Sequence, residues 1–156
     1  MTENAAVISG IHHLKIPVSD LAVSRAWYEK VFGYRVQIEF PDTDGTVRGV
    51  AGEIGGITVA LRENPAAAQG ASGFDPVCFA IPDRAAAQAW SARLERLGVE
   101  HTPPGEGTRG WVVQVLDPDG IAIRLYSTAT DDATDRSGTP GYPRPAEQSH
   151  RNPDDR

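Results

Sequence analysis

The residues best equipped for chemistry in this chain are His13, Lys15, Arg62, Arg124 and Tyr126, and each falls within a short run that alternates apolar with polar residues. In an extended strand such alternation sends successive side chains to opposite faces. One parity holds Leu14, Ile16 and Val18; Ile57, Val59 and Leu61; Val77, Phe79 and Ile81; and Ile121, Ile123 and Leu125, the set expected to pack on helices. The other parity holds His13, Lys15 and Pro17; Thr58, Ala60 and Arg62; Pro76, Cys78 and Ala80; and Ala122, Arg124 and Tyr126. This second face is polar, and its charges are all positive. If the sheets carrying it curl toward each other it lines one cleft, and a basic cleft in an acidic chain favours an anionic ligand.

Each of these residues also has a plain structural reading. Arg124 at mid-strand needs an anionic partner to offset desolvation, either a ligand or a salt bridge to Glu53 or Glu39. Arg62 and Lys15 stand nearer strand ends, where long side chains snorkel to solvent. His13 either hydrogen-bonds a ligand oxygen or is satisfied by its neighbours. Its companion His12 shares parity with Leu14, so chelation by the two together is not expected of adjacent strand residues. Tyr126 closes the cleft with its hydroxyl or caps the last strand. Trp111, after Gly110, stacks on a flat ligand or fills the rim. Cys78 has no histidine beside it to activate a thiolate and is expected as a packing residue.

The elements that position these side chains come from an internal repeat. HLKIPVSDLAVSRAW aligns with PVCFAIPDRAAAQAW, so that Asp20 meets Asp83 and Trp27 meets Trp90, each 63 residues later. ITVALREN and IAIRLYST match at an offset of 64, placing Leu61 on Leu125. Two units follow, residues 11–63 and 74–126, joined by NPAAAQGASG as a linker. In each, a strand precedes a helix that an aspartate caps and a glycine ends, at Gly33 and Gly98. The first helix is expected over 21–32. The later strands are expected at 34–40, 46–53 and 57–62, and at 99–102, 111–116 and 121–126. Asp117-Pro118-Asp119-Gly120 reads as a turn, which accounts for its carboxylates. WVVQVL breaks the parity rule, because a tight in-register turn would set Gln114 on the apolar face; a bulge is the expected remedy, with Trp111, Val113 and Val115 in the cleft.

Composition bounds the function. Fifteen Lys and Arg against 21 Asp and Glu give a net charge of -6, which argues against neutralising a phosphate backbone, so no nucleic-acid partner is expected. One cysteine permits no internal disulfide and no four-thiolate zinc site. No apolar run is long enough to span a membrane, and the reading is a cytoplasmic protein. Residues 1–10 are expected as an N-terminal segment. Residues 127–156, rich in proline and small polar side chains, are expected as a disordered tail.

With the repeat, HHLKIPVSDLAVSRAWYEKVFGY and VLDPDGIAIRLY in view, residues 11–126 resemble the vicinal oxygen chelate superfamily, which includes glyoxalase I, extradiol dioxygenases, fosfomycin-resistance enzymes and bleomycin-binding proteins. The resemblance implies an α+β fold of two βαβββ modules, whose eight strands form a curved, mainly antiparallel sheet around a cleft, commonly in homodimers. Catalytic members hold a divalent metal from the first and fourth strands of each module. Carried over residue by residue, those positions are His13, Ala60, Pro76 and Arg124. Only His13 can bind a metal, so no metal or other cofactor is expected. The expected function is metal-independent binding of an anionic or aromatic small molecule, with His13, Arg124, Tyr126, Arg62, Lys15 and Trp111 as ligand contacts. The alternatives are a metal-free isomerase or lyase that uses Arg124 to hold an oxyanion, and a metal-dependent enzyme, such as a dioxygenase, that draws its missing ligands from elsewhere.

Overall fold

A computed structural model describes residues 6–128. The strands are β1 (Leu14–Val18), β2 (Arg35–Pro41), β3 (Val47–Ile54), β4 (Ile57–Glu63), β5 (Val77–Ile81), β6 (Gly105–Gly107), β7 (Gly110–Leu116) and β8 (Ala122–Ser127). The helices are α1 (Leu21–Phe32), α2 (Pro65–Ala71) and α3 (Arg84–Arg96). The repeat expected from the sequence is therefore present as two βαβββ modules. Their eight strands form two hydrogen-bonded sheets of four, ordered β1-β4-β3-β2 and β5-β8-β7-β6. In each sheet the first and fourth strands run parallel and the others antiparallel, so both sheets are mixed.

Local chemistry explains the helix bounds. The side chains of Asp20 and Asp83 accept from Val23 N and Ala86 N, satisfying amides that a helix start leaves open. Gly33 ends α1 in the left-handed region at φ 67, which its missing Cβ makes accessible. The stretch expected as a linker instead carries α2: Asn64 caps it by accepting from Ala67 N, Pro65 opens it, and the alanine run continues it.

Two other expectations fail for identifiable reasons. No strand forms over 99–102; there His101 makes a lone bridge to Val115, and Thr102 N donates to Gln114 O. Pro103 and Pro104 lack the amides to continue that ladder, and pairing resumes only at β6. The β7–β8 hairpin has no bulge near its turn. Its register runs unbroken from Val112↔Tyr126 to Leu116↔Ala122, because the connection spans 117–121 and is not a two-residue turn. Asp117 Oδ1 accepts from both Asp119 N and Ile121 N and shapes that loop. The longer loop puts Gln114 opposite Arg124 and sends Val113 and Val115 into the core, at 0% and 1% exposure.

The apolar parity of the strands packs as expected. Ile16, Val18, Val59 and Leu61 of one sheet and Phe79, Ile81, Ile123 and Leu125 of the other belong to a single core cluster with Tyr28, Phe32 and Leu94 from the helices. Phe32 joins the modules, its ring lying 5.7 Å from those of Phe79 and Trp90. The Tyr28 hydroxyl donates to Asp117 Oδ2 at 2.9 Å, tying α1 to the β7–β8 loop. β8 runs one residue past the module boundary expected at 126, and Thr128 N donates to Ile81 O. Residues 1–5 and 129–156, including nearly all of the expected tail, lie outside the described residues.

Candidate functional site

Since the apolar faces of both sheets share one core, their polar faces point away from it. The face of the first sheet forms a cavity of about 480 Å³ whose lining includes His12, His13, Lys15, Ile38, Phe40 and Arg62. Every lining residue belongs to the first module. Arg124 and Tyr126 stand on the other sheet, so the structure does not gather the expected ligand contacts into one cleft within the chain.

The cavity floor follows from register. Ile38 pairs with Ala51, Ala51 with Ala60, and Ala60 with Lys15, giving one row across the four strands. The next row contains Phe40, Gly49 and Arg62. Gly49 lets the Arg62 side chain cross the sheet: a Cβ there would sit 3.3 Å from Arg62 Cδ. Arg62 thereby reaches Asp42, with Nη2 donating to Oδ1 at 3.1 Å. Arg48 also binds Asp42, at 3.0 Å, and Glu63, at 2.8 Å, so the charges at this end of the cavity are mutually satisfied. Lys15 is different. It is exposed and forms no hydrogen bond or ion pair among the described residues. Ile38 and Phe40, on an edge strand, leave 53% and 46% of their surface uncovered.

His12 and His13 precede β1 and are not part of it, so strand alternation does not separate them. Both rings reach the cavity, and their Nδ1 atoms lie 2.9 Å apart, so one nitrogen donates and the other accepts. The expectation that these neighbours point to opposite faces fails because the strand begins one residue too late.

On the second sheet, Arg124 has a carboxylate partner other than those anticipated. Nη1 pairs with Asp75 Oδ2 at 2.9 Å, and Nε donates to Gln114 Oε1 at 3.0 Å. Glu53 and Glu39 are held by Arg35 and Arg25. Cys78, opposite Arg124 in the β5–β8 register, has its thiol pKa raised by burial, with Asp75 adding to the rise and Arg124 opposing it. The Tyr126 hydroxyl accepts from Arg109 N at 3.0 Å and covers Gly107, where any side chain would collide with it. Trp111 shares parity with Val113 and Val115. It packs against the core under Arg84, whose guanidinium carbon lies 4.2 Å from the ring centroid, and so stands on the face opposite Arg124.

The four positions that hold a metal in catalytic relatives do not make a donor set here. Ala60 and Pro76 offer no donor atom, and Arg124 presents a cation already paired with Asp75. Among the described residues, no three His, Cys, Asp or Glu side chains are grouped so that they could hold a metal ion. No described helix is long and apolar enough to cross a membrane.

A family model for the Glyoxalase/Bleomycin resistance protein/Dioxygenase superfamily matches residues 10–125. No curated protein matches. Among solved structures, a glyoxylase/bleomycin resistance protein/dioxygenase domain from Frankia sp. EAN1pec is 26% identical, with a TM-score of 0.63 over 78% of this chain and 98% of its own. The antibiotic binding protein TnmS3 from Streptomyces sp. CB03234 is 22% identical, with a TM-score of 0.65 over 80% and 100%. The fosfomycin resistance protein FosX from Listeria monocytogenes is 19% identical, with a TM-score of 0.62 over 79% and 96%.

Proposed function

The chain belongs to the Glyoxalase/Bleomycin resistance protein/Dioxygenase superfamily, and from that premise we propose that it binds an anionic or aromatic small molecule without the help of a metal ion. The observation that carries this reading is the first-sheet cavity: about 480 Å³, within the usual range of ligand pockets, with apolar side chains on one flank and Lys15, His12 and His13 on the other. A likeness in fold to an antibiotic binding protein supports binding as a sufficient role for this architecture. Among the described residues lining the cavity there is no carboxylate, so proton transfer there would fall to the histidine pair or Lys15.

The functional unit in this reading is a cytoplasmic homodimer. Both polar faces point away from the shared core, and a second copy would set the Arg124 and Tyr126 face of one chain over the cavity of the other. Arg124, Tyr126, Arg62, Lys15 and His13 then act at one composite site. Trp111, on the core side, shapes it only indirectly.

The test is mass balance. Small molecules extracted from purified protein are identified by mass spectrometry and then incubated in large excess with fresh protein. Quantitative recovery of the unchanged compound, with saturable binding, supports the reading. Its steady consumption would establish an enzyme instead.

A further inference from the structure

Building on the reading that this chain binds a small molecule, the geometry points to a narrower ligand class: a flat aromatic body carrying an anionic substituent, laid on the Ala51 and Ala60 floor with its charge at Lys15. The floor is flat where Ala51 and Ala60 pair on β3 and β4, each rising only one methyl, and the Arg62 side chain lying across Gly49 bounds one end of it. The outer strands rise above it. On β2 stand Ile38 and Phe40, and on β1, in the same row as Ala51 and Ala60, stands Lys15. With strands about 4.8 Å apart, β2 to β1 spans about 14 Å, which leaves room for fused rings between the walls.

The walls fix the chemistry of the occupant. Ile38 and Phe40 are large apolar side chains left about half uncovered beside a cavity, where burying them against a ring would be favourable. The Phe40 ring also offers an aromatic contact. The cations sort by commitment. Arg62 is neutralised by Asp42, and His12 and His13 engage each other. Lys15 alone among the cavity cations has no partner among the described residues, so an anionic group gains most there.

The probes are 8-anilino-1-naphthalenesulfonate, a flat aromatic anion, and N-phenyl-1-naphthylamine, nearly the same shape without the charge. The sulfonate should bind the full chain saturably, at one site per chain, and shift the methyl resonances of Ile38, Ala51 and Ala60. Lys15→Gln should weaken the sulfonate about tenfold and leave the neutral amine unchanged, as expected for the loss of one charge-assisted contact. Ala60→Leu, which raises the floor, should weaken both probes at least tenfold, whereas Arg35→Gln, on the exposed edge, should change neither. If Ala60→Leu does not fold, the methyl shifts of the parent chain decide.

Shifts centred on Tyr126 and Val112, or on Trp27 and His101, with none at Ile38, Ala51 and Ala60, would overturn the inference, as would equal loss of both probes with Lys15→Gln. A natural ligand that proves aromatic but cationic, or anionic but non-aromatic, would sink this inference and leave the binding-protein reading intact. Steady turnover of an aromatic anion on the same floor would do the reverse.

Discussion

Replacing Tyr28 with phenylalanine should destabilise the fold more at neutral pH than in acid. Tyr28 is fully buried on α1, and its hydroxyl is a donor to Asp117 Oδ2, a carboxylate only 5% exposed in the loop between β7 and β8. The carboxylate also accepts from the amides of Asp119 and Ile121, and those bonds survive the substitution. Losing one hydrogen bond to a buried charged group costs about 1.5–3 kcal/mol, and at about 4 °C per kcal/mol for a domain of this size Tm falls by about 6–12 °C. The pH dependence follows from Asp117, whose pKa is raised above the usual 3.8 mainly by burial, with the Tyr28 hydroxyl among the groups pulling it back down. A carboxyl with a raised folded pKa contributes its stability below the unfolded value and loses it as pH rises through the folded value. Without Tyr28 that loss deepens, because the ionised form has one donor fewer. The variant's deficit in Tm should therefore grow between pH 3.5 and pH 7. Tyr34→Phe is the internal comparison: its hydroxyl donates to the neutral Val59 carbonyl at 2.8 Å, so its deficit should be about 0.5–1.5 kcal/mol and flat over the same range. Calorimetric melts of the three proteins across pH make the measurement. A Tyr28→Phe deficit below about 2 °C, or one that tracks Tyr34→Phe at every pH, would refute the reasoning.

Three further outcomes are expected. Ser24, 1% exposed on α1, has a hydroxyl without a hydrogen-bond partner among the described residues, so Ser24→Ala should raise stability by about 1 kcal/mol in urea titrations; a lower midpoint would contradict this. Arg124→Leu should raise the apparent pKa of Cys78 alkylation, since Arg124 is the group that opposes the upward effect of burial; an unchanged or lower value would mean that the thiol does not sense that charge. The same variant leaves Asp75 without its 2.9 Å partner on a partly covered face and should lower Tm by about 4 °C, for a loss of about 1 kcal/mol; a change within about 1 °C would show that this pair is worth no more than a surface one.

The fold was legible because its signals are periodic and repeated. Asp20 and Asp83 cap equivalent helices, and the parity of Ile16 with Val18, and of Ile123 with Leu125, placed both core faces correctly. What escaped depends on where strands begin and how long turns are. His12 and His13 lie just outside β1, so a parity rule valid from Leu14 onward misplaced His12, which shares the cavity with His13. The 117–121 loop reversed the faces expected of Trp111, Val113 and Val115, since adding residues to a turn flips every side chain beyond it. Asn64, Pro65 and the alanines after them are a readable helix start that the linker-like composition obscured. At the site, the alternation of β1 and β4 put Lys15, Ala60 and Arg62 on one face, but Ile38 and Phe40 could not be added from sequence. Register irregularities between Val36 and Ile38 and between Phe40 and Pro41 decide which way β2 points them. Nor could the ion pairs be foreseen. Arg124 was weighed against Glu53 and Glu39, yet its carboxylate is Asp75, three residues before its paired residue Cys78 on the adjacent strand.

Native mass spectrometry and elemental analysis of one sample purified without chelators decide whether this cavity binds its ligand without a metal. The purified protein should carry a small organic molecule, released by Ala60→Leu, with zinc, nickel, manganese and iron well below one ion per chain after dialysis. A stoichiometric metal that survives dialysis and disappears with His13→Ala would contradict metal-free binding.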